Sequence, residues 1–220
     1  MTRWKRERDM SDETASSTQT ASIRDDRQAA LAAAMVLIAR EGWRETSLKA
    51  VADQAGLPLD RFYRLFPSRL HLLAALDRHA DELVLAQPVP DPTDPPHDRL
   101  FDVLMRRIDV LEPFRPGLRV LARNGVAILA APALAPGLYR SMGWMLEAAG
   151  LGRGGVAGAL QRRGLATVWL ATLRVWLDDE SPDKSATMAA LDRNLKRARE
   201  LWNSLPLAFR SSIGSKHAAG

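Results

Sequence analysis

The chain has 220 residues, 46% hydrophobic and 26% charged, an ordinary globular composition that excludes a wholly disordered chain and supplies a core without disulfides or metal. It contains no cysteine, which excludes disulfide scaffolds, thiolate metal sites and cysteine nucleophiles. The formal net charge of +5 points to an anionic partner, yet residues 1–23 carry four basic and four acidic side chains and residues 24–86 nine of each, so the surplus lies beyond residue 86 and only the local placement of arginines can argue for DNA binding.

Residues 1–22 are rich in Ser, Thr and charge without apolar periodicity, and a flexible arm is expected there. The opening MTRWKRERDMSDET lacks the apolar stretch of a secretory signal, and no run reaches the roughly 18–20 apolar residues of a membrane span, so a cytoplasmic protein is expected. From Ile23, Leu31, Met35 and Ile38 recur at helical spacing until Gly42, which defines a first helix. Thr46 and Ser47 are cap-type residues before Leu48, Val51 and Ala52, and Gly56 closes this second, short helix. Pro58 opens a third, LDRFYRLF, which Pro67 stops. Ser68 caps a fourth that carries Leu72, Leu73, Leu76 and Leu83 to about Ala86. Five prolines between Pro88 and Pro96 exclude helix and mark a linker at 87–96. Beyond it, helices are expected at about 97–111, 116–130, 134–149, 156–178 and 182–203, separated by Pro or Gly, with Ser181 and Pro182 opening the last. No period-two strand pattern occurs. The fold class is therefore all-α with about nine helices: a helix-turn-helix domain at 23–86, a second helical domain at 97–204 and a flexible tail at 205–220.

Two short helices joined at Gly56 match a helix-turn-helix, whose second helix enters the major groove. Gly56 accepts a positive φ, and Leu57 fills the angle between the helices. Arg61 and Arg64, three apart, share a face from which guanidinium forks reach phosphate oxygens or guanine edges. Tyr63 offers a phenol to phosphate, while Phe62 and Phe66 are assigned to packing. The same residues are also compatible with a helix-turn-helix kept only as a packing unit.

The string ETSLKAVADQAGLPLDRFYRLFPSRLHLLAAL, Glu45 to Leu76, contains in order the elements Gly42-Trp43 with Thr46-Ser47, Ala52 with Ala55-Gly56, Tyr63 with Phe66, and Ser68 with Leu72-Leu73. In these elements the chain resembles the TetR family over roughly residues 24–86. The resemblance implies a transcriptional regulator, commonly a repressor, that works as a homodimer on a pseudo-palindromic double-stranded DNA operator and is released by a ligand. It further implies that Thr46, Ser47, Tyr63, Ser68 and Arg69 contact the DNA backbone and that Leu59, Asp60 and Arg61 lie against bases; Lys49 and Pro58 complete the DNA-facing set. Asp60 and Arg61 depart from the small residues usual there, and Asp60 would repel phosphate unless it accepts from a cytosine amine or caps the helix.

In the C-terminal half, Phe101, Met105, Phe114, Tyr139, Met142, Trp144, Met145, Trp169 and Trp176 either fill a core or line an adaptable apolar pocket. The pocket reading takes Phe101, Met105, Tyr139, Met142, Trp144, Met145, Trp169 and Leu173 as walls around a small apolar or lipid-like effector. Arg123 and Asn124 then orient the ligand; the alternative makes them exposed or capping residues. Leu165, Trp169, Leu173 and Trp176 form one stripe, and Met188, Leu191, Leu195, Ala198 and Trp202 another. Trp176 and the second stripe are expected to form a two-fold four-helix dimer interface, setting the recognition helices about 34–36 Å apart or somewhat more.

The stretch VWLATLRVWLDDESPDKSATMAALDRNLKRA also resembles the C-terminal region of the ubiquinone-biosynthesis accessory proteins, lipid binders of TetR-like fold. That resemblance implies a lipid-like or isoprenoid ligand and supplies an alternative function, a lipid-binding accessory protein that binds no DNA. His71, His79, His97 and His217 lack metal-ligand spacing, and Asp178, Asp179 and Glu180 read as acids placed before a helix N-terminus. With neither a phosphate loop nor a nucleophile elbow, no metal, cofactor or enzymatic activity is expected.

Overall fold

No glycine or proline precedes Gly42, and in the computed structural model, which describes residues 3–204, α1 runs unbroken from Arg3 to Glu41. Residues 3–22, expected as part of a flexible arm, belong instead to α1, with no glycine or proline to interrupt the hydrogen-bonded ladder. The buried stripe of α1 is Ala30, Leu31, Ala34, Met35 and Ile38. Gly42, at φ +90°, ends it. The short helices α2 (Leu48–Gln54) and α3 (Leu59–Leu65) follow, then α4 (Arg69–Leu85), which ends before the prolines. The linker is pinned where the Arg106 guanidinium donates to the Pro88 carbonyl at 2.5 Å.

Beyond the linker come α5 (Pro96–Leu111), a 3-10 turn (Glu112–Phe114), α6 (Arg115–Arg123), α7 (Val126–Ala148), α8 (Gly155–Asp178) and α9 (Ser185–Ser204). Among the described residues there are thus nine α-helices and no strand. The expected break near residue 131 falls instead at Gly125 (φ +69°), and α7 continues through Pro132 and Pro136. Both prolines are exposed, and a proline on the wet side of a helix bends the ladder more readily than it breaks it. The expected tail at 205–220 lies outside the described residues.

The last helix starts at Ser185 rather than at 182. Ser181 does not cap it, because its N–H and hydroxyl both donate to Asp179 Oδ1, at 3.0 and 2.5 Å. Asp179 Oδ2 accepts from the N–H and hydroxyl of Thr187, eight residues on, at 2.8 and 2.6 Å, and so caps the first turn of α9. Burial opposes the charge on Asp179, but the hydrogen bonds from Ser181 and Thr187 outweigh it and hold the carboxyl well below its ordinary range. Asp179→Ala, which strands both Thr187 donors, is expected to cost on the order of 2–3 kcal/mol, read as a lower calorimetric melting point. A carboxyl depressed by folding stabilises above its unfolded pKa, so this contribution persists at neutral pH and fades below about pH 4.

One continuous buried core extends from Ala30 to Leu195. The helix-turn-helix joins the rest of the chain through α4, which lies along α7 and α5, and through α1, against which α6 lies at Gly117, where a Cβ would stand 2.7 Å from the Met35 carbonyl oxygen.

Candidate nucleic-acid interface and the helical core behind it

The α2–α3 turn follows from its sequence. Ser47 caps α2, its hydroxyl accepting from the Ala50 N–H at 3.0 Å. At the other end Gly56 takes φ +68°, its N–H reaching the Asp53 carbonyl at 3.1 Å and the Leu57 N–H the Ala52 carbonyl at 2.9 Å, the paired closure a left-handed residue allows. Phe62 and Phe66 are buried with ring centroids 5.3 Å apart and fix which side of α3 faces the core. The opposite side is free: Tyr63 is 65% and Leu59 52% exposed. Asp60 and Arg64 are exposed beside them and pair at 3.0 Å. Ser47, Lys49 and Pro58 are also exposed, with Lys49 joined to Asp53 at 2.6 Å. Asp60 thus sits beside a guanidinium of opposite charge on the same exposed side of α3.

Four of the expected contact residues are engaged within the chain. Thr46 is buried, and its hydroxyl donates to the Gly42 carbonyl at 2.8 Å; its assignment to DNA is corrected, since it ties down the turn after α1. Arg69 lies 5.3 Å from the Trp43 ring centroid and donates to the carbonyls of Trp43 and Thr46 at 2.8 and 3.3 Å. It clamps the α1–α2 loop instead of reaching outward. Arg61 turns back onto α1, paired with Asp26 and donating to the Ser22 hydroxyl at 2.6 Å. Ser68 is half-buried, with its hydroxyl 2.8 Å from His71 Nδ1. Sequence reasoning missed Ser22, Asp26 and Trp43, whose roles depend on contacts 26–39 residues away along the chain.

Behind this domain lies a buried polar cluster that the sequence reading also missed. Arg107 of α5 is 1% exposed. Its guanidinium donates to Asp81 and, at 2.5 Å, to Asp77, both on α4. Asp81 also accepts from the Ser141 hydroxyl of α7 at 2.6 Å, and the guanidinium carbon lies 5.2 Å from the Trp169 ring centroid on α8. Burial pushes the Asp77 carboxyl above its ordinary range against the pull of Arg107. Four helices therefore meet on the Arg107–Asp81 pair. The available signal was a pair of acids four apart on a helix, interleaved with the buried Leu76, Ala80 and Val84.

Around the cluster, Met142, Met145 and Trp169 are buried, and Phe101, Met105 and Leu173 pack partly buried against the same core. Tyr139 and Trp144 are 39% and 51% exposed. Arg123 and Asn124 are surface residues: Arg123 pairs with Asp178 at 3.0 Å and Asn124 is the C-cap of α6. Their pocket assignment is corrected, because Gly125 ends α6 and leaves its last turn in solvent.

Residues 30–76 match the family described as bacterial regulatory proteins, tetR family. Over these residues the chain is similar to that family. Residues 160–201, spanning most of α8 and α9, match a second family, COQ9. Three solved structures share the architecture. The TetR transcriptional regulator from Nitrosomonas europaea ATCC 19718 is 24% identical, covering 79% of this chain and 98% of its own, with a TM-score of 0.62. A TetR transcriptional regulator from Rhodococcus sp. RHA1 is 21% identical over 80% and 96%, at 0.58. A tetR-family transcriptional regulator from Streptomyces coelicolor is 22% identical over 84% and 88%, at 0.52. No curated protein matches the chain by sequence. At these identities the likeness establishes a TetR-type fold, all-α.

Within that TetR-type fold the expected dimer stripe divides. Trp176, Leu191 and Leu195 are buried within the single chain, the Trp176 indole donating to Glu112 at 2.9 Å. Their assignment to a partner surface is corrected: helical periodicity marks the buried face, and that face is covered here by the chain's own helices. Met188, Ala198 and Trp202 are partly buried. Along the middle of α8, Arg163, Gly164, Thr167, Leu170, Ala171 and Arg174 face outward. Among the described residues no helix is long and apolar enough to cross a membrane.

Proposed function

We propose that this chain is a ligand-responsive DNA-binding transcriptional regulator, a repressor that works as a homodimer. One observation carries the reading: in a tetR-family domain, α3 is locked by Phe62 and Phe66 while Leu59, Tyr63 and Arg64 stay exposed on its outer side. A phenol and a guanidinium on one face of a recognition helix are the donors that phosphate and base edges require. Ser47, Lys49 and Pro58 flank this face.

The effector in this reading is a small apolar molecule held among Phe101, Met105, Met142, Met145, Trp169 and Leu173, with Arg107 as the polar floor. Because Arg107 holds α4 through Asp77 and Asp81, and α4 carries the helix-turn-helix, a ligand that prefers a different arrangement of this cluster shifts the spacing of the two recognition helices. Its effect on DNA is limited to its difference in affinity for the two arrangements.

The dimer is assigned to the outer faces of α8 and α9, where Gly164, Ala171, Ala186 and Ala189 allow close approach around Leu170. Leu170→Glu is expected to weaken the dimer about tenfold or more in sedimentation equilibrium. An unchanged dimer would move the interface elsewhere.

A mobility shift against the DNA upstream of the chain's own gene, with excess nonspecific competitor and increasing salt, tests the function. A specific band supports the regulator. The match of residues 160–201 to COQ9 favours a second reading, a lipid-binding accessory protein; absence of a specific band together with co-purified lipid would select it.

A further inference from the structure

We propose a binding site for a small organic anion with an apolar body in the groove between the second half of α7 and the start of α8. The groove has a volume of about 460 Å³ and is lined by Arg140, Trp144 and Glu147 from α7, Arg153 from the connecting loop and Arg162 from α8. That volume falls within the range of small-molecule sites, about 300–1,000 Å³. Among the described residues, none of the three arginines stands within 4.0 Å of a carboxylate, whereas Arg107, Arg115 and Arg123 of the neighbouring helices are each paired. Three guanidinium groups against the single carboxylate of Glu147 leave the groove a net cation. Planar guanidinium forks bind carboxylate or phosphate oxygens two at a time. Beside them the indole of Trp144, 51% exposed, offers an apolar face for the body of the ligand.

The walls are built to hold this arrangement. Gly150, at φ +66°, ends α7 with the Leu151 N–H on the Leu146 carbonyl at 2.8 Å. The Gln161 side chain donates to the Leu151 carbonyl at 3.1 Å and fastens the loop to α8. At Gly158 the Arg153 carbonyl occupies the place a Cβ would take. At Gly143 a Cβ would stand 2.9 Å from Arg162 Cδ, so the Arg162 chain crosses α7 where no side chain stands in its way.

The groove also touches the coupling cluster. Arg140 adjoins Ser141, which donates to Asp81, and Arg140 Nη2 and Asp77 Oδ2 converge on Gly137, 3.9 and 3.8 Å from where its Cβ would stand, so that the guanidinium attracts the carboxylate. An anion on Arg140 competes for that attraction and loosens one of the two acids by which Arg107 holds α4. This last step rests on the regulator reading; the site itself does not.

Isothermal titration of the full chain with 4-phenylbutyrate, against 4-phenyl-1-butanol as its neutral counterpart, tests the site. The acid is expected to bind at least about tenfold more tightly than the alcohol. Arg140→Gln/Arg162→Gln is expected to lose at least that factor for the acid while keeping its melting point. Equal binding of acid and alcohol, or undiminished binding by the double variant, would overturn the site. So would binding to phosphatidylglycerol vesicles without binding of the free acid, which would assign the arginines to a lipid surface. No DNA enters this titration, so failure of the regulator reading leaves it standing. Where the parent shifts operator DNA, 4-phenylbutyrate is expected to release the band and to leave that of the double variant in place; release from both overturns the link to α4.

Discussion

Arg107→Leu is expected to lower the free energy of unfolding by about 3–5 kcal/mol, because removing one member of a buried ionic cluster strands the others in a medium that solvates them poorly. The stranded groups are Asp81, which keeps only the Ser141 hydroxyl, and Asp77, whose carboxyl burial already pushes upward. Asp77 remains about one-quarter exposed, which places the loss toward the lower end. Urea unfolding of parent and variant gives the difference directly, and an unchanged slope would show that the native state alone is affected.

The pH dependence separates this cause from simple loss of packing. Without Arg107 the Asp77 carboxyl, already pushed upward by burial, is harder still to ionise. A carboxyl raised by folding destabilises increasingly as pH climbs above its unfolded value near 3.9. The deficit is therefore expected to be largest at neutral pH and to shrink as pH falls toward 4. Arg107→Leu/Asp77→Asn/Asp81→Asn, which removes the stranded charges, should recover much of the loss. A deficit that is the same at pH 4 and pH 7 would reduce Arg107 to a space-filling side chain resting on Trp169.

The helix-turn-helix was legible because its information is local. Gly56, Pro58 and Pro67 punctuate it, and Phe62 and Phe66 face inward at a spacing that leaves Leu59 and Tyr63 outside. Nothing in the spacing of Arg61 or Arg69 discloses that Asp26 and the Trp43 carbonyl take them up, since those partners come from α1 and the loop after it. The apolar stripes of α8 and α9 were read correctly as helices and assigned too readily to a partner. A stripe identifies a buried face without saying what buries it, and Trp176, Leu191 and Leu195 are covered by their own chain. Pro132 misled in the opposite sense: proline marks a break only where the rest of the helix cannot remain packed, and α7 stays anchored through Met142, Met145 and Leu146.

Arg64→Ala is expected to weaken operator binding while leaving the fold intact. Its side chain is 66% exposed and its ion-pair partner within the chain is the equally exposed Asp60, a surface pair worth at most about 1 kcal/mol of stability. Against DNA the same guanidinium is worth about 1–3 kcal/mol per contact where it reads a base edge. A two-fold dimer presents it twice, so the loss per complex is about 2–6 kcal/mol for independent half-sites. Tyr63→Phe removes only a hydroxyl and is expected to cost less, about 1 kcal/mol per half-site. Mobility shifts at several salt concentrations distinguish the roles: if Arg64 serves a phosphate, all sequences weaken alike and the salt dependence becomes shallower by about one ion per contact, whereas a base contact relaxes discrimination at one operator position. The dimer and the melting point are expected to remain unchanged in both variants, since neither residue belongs to the face that Phe62 and Phe66 bury. A dimer that dissociated, or a melting point several degrees lower, would place Tyr63 or Arg64 in the packing of α3, and the exposed outer face on which the DNA-binding reading stands would no longer be available to DNA.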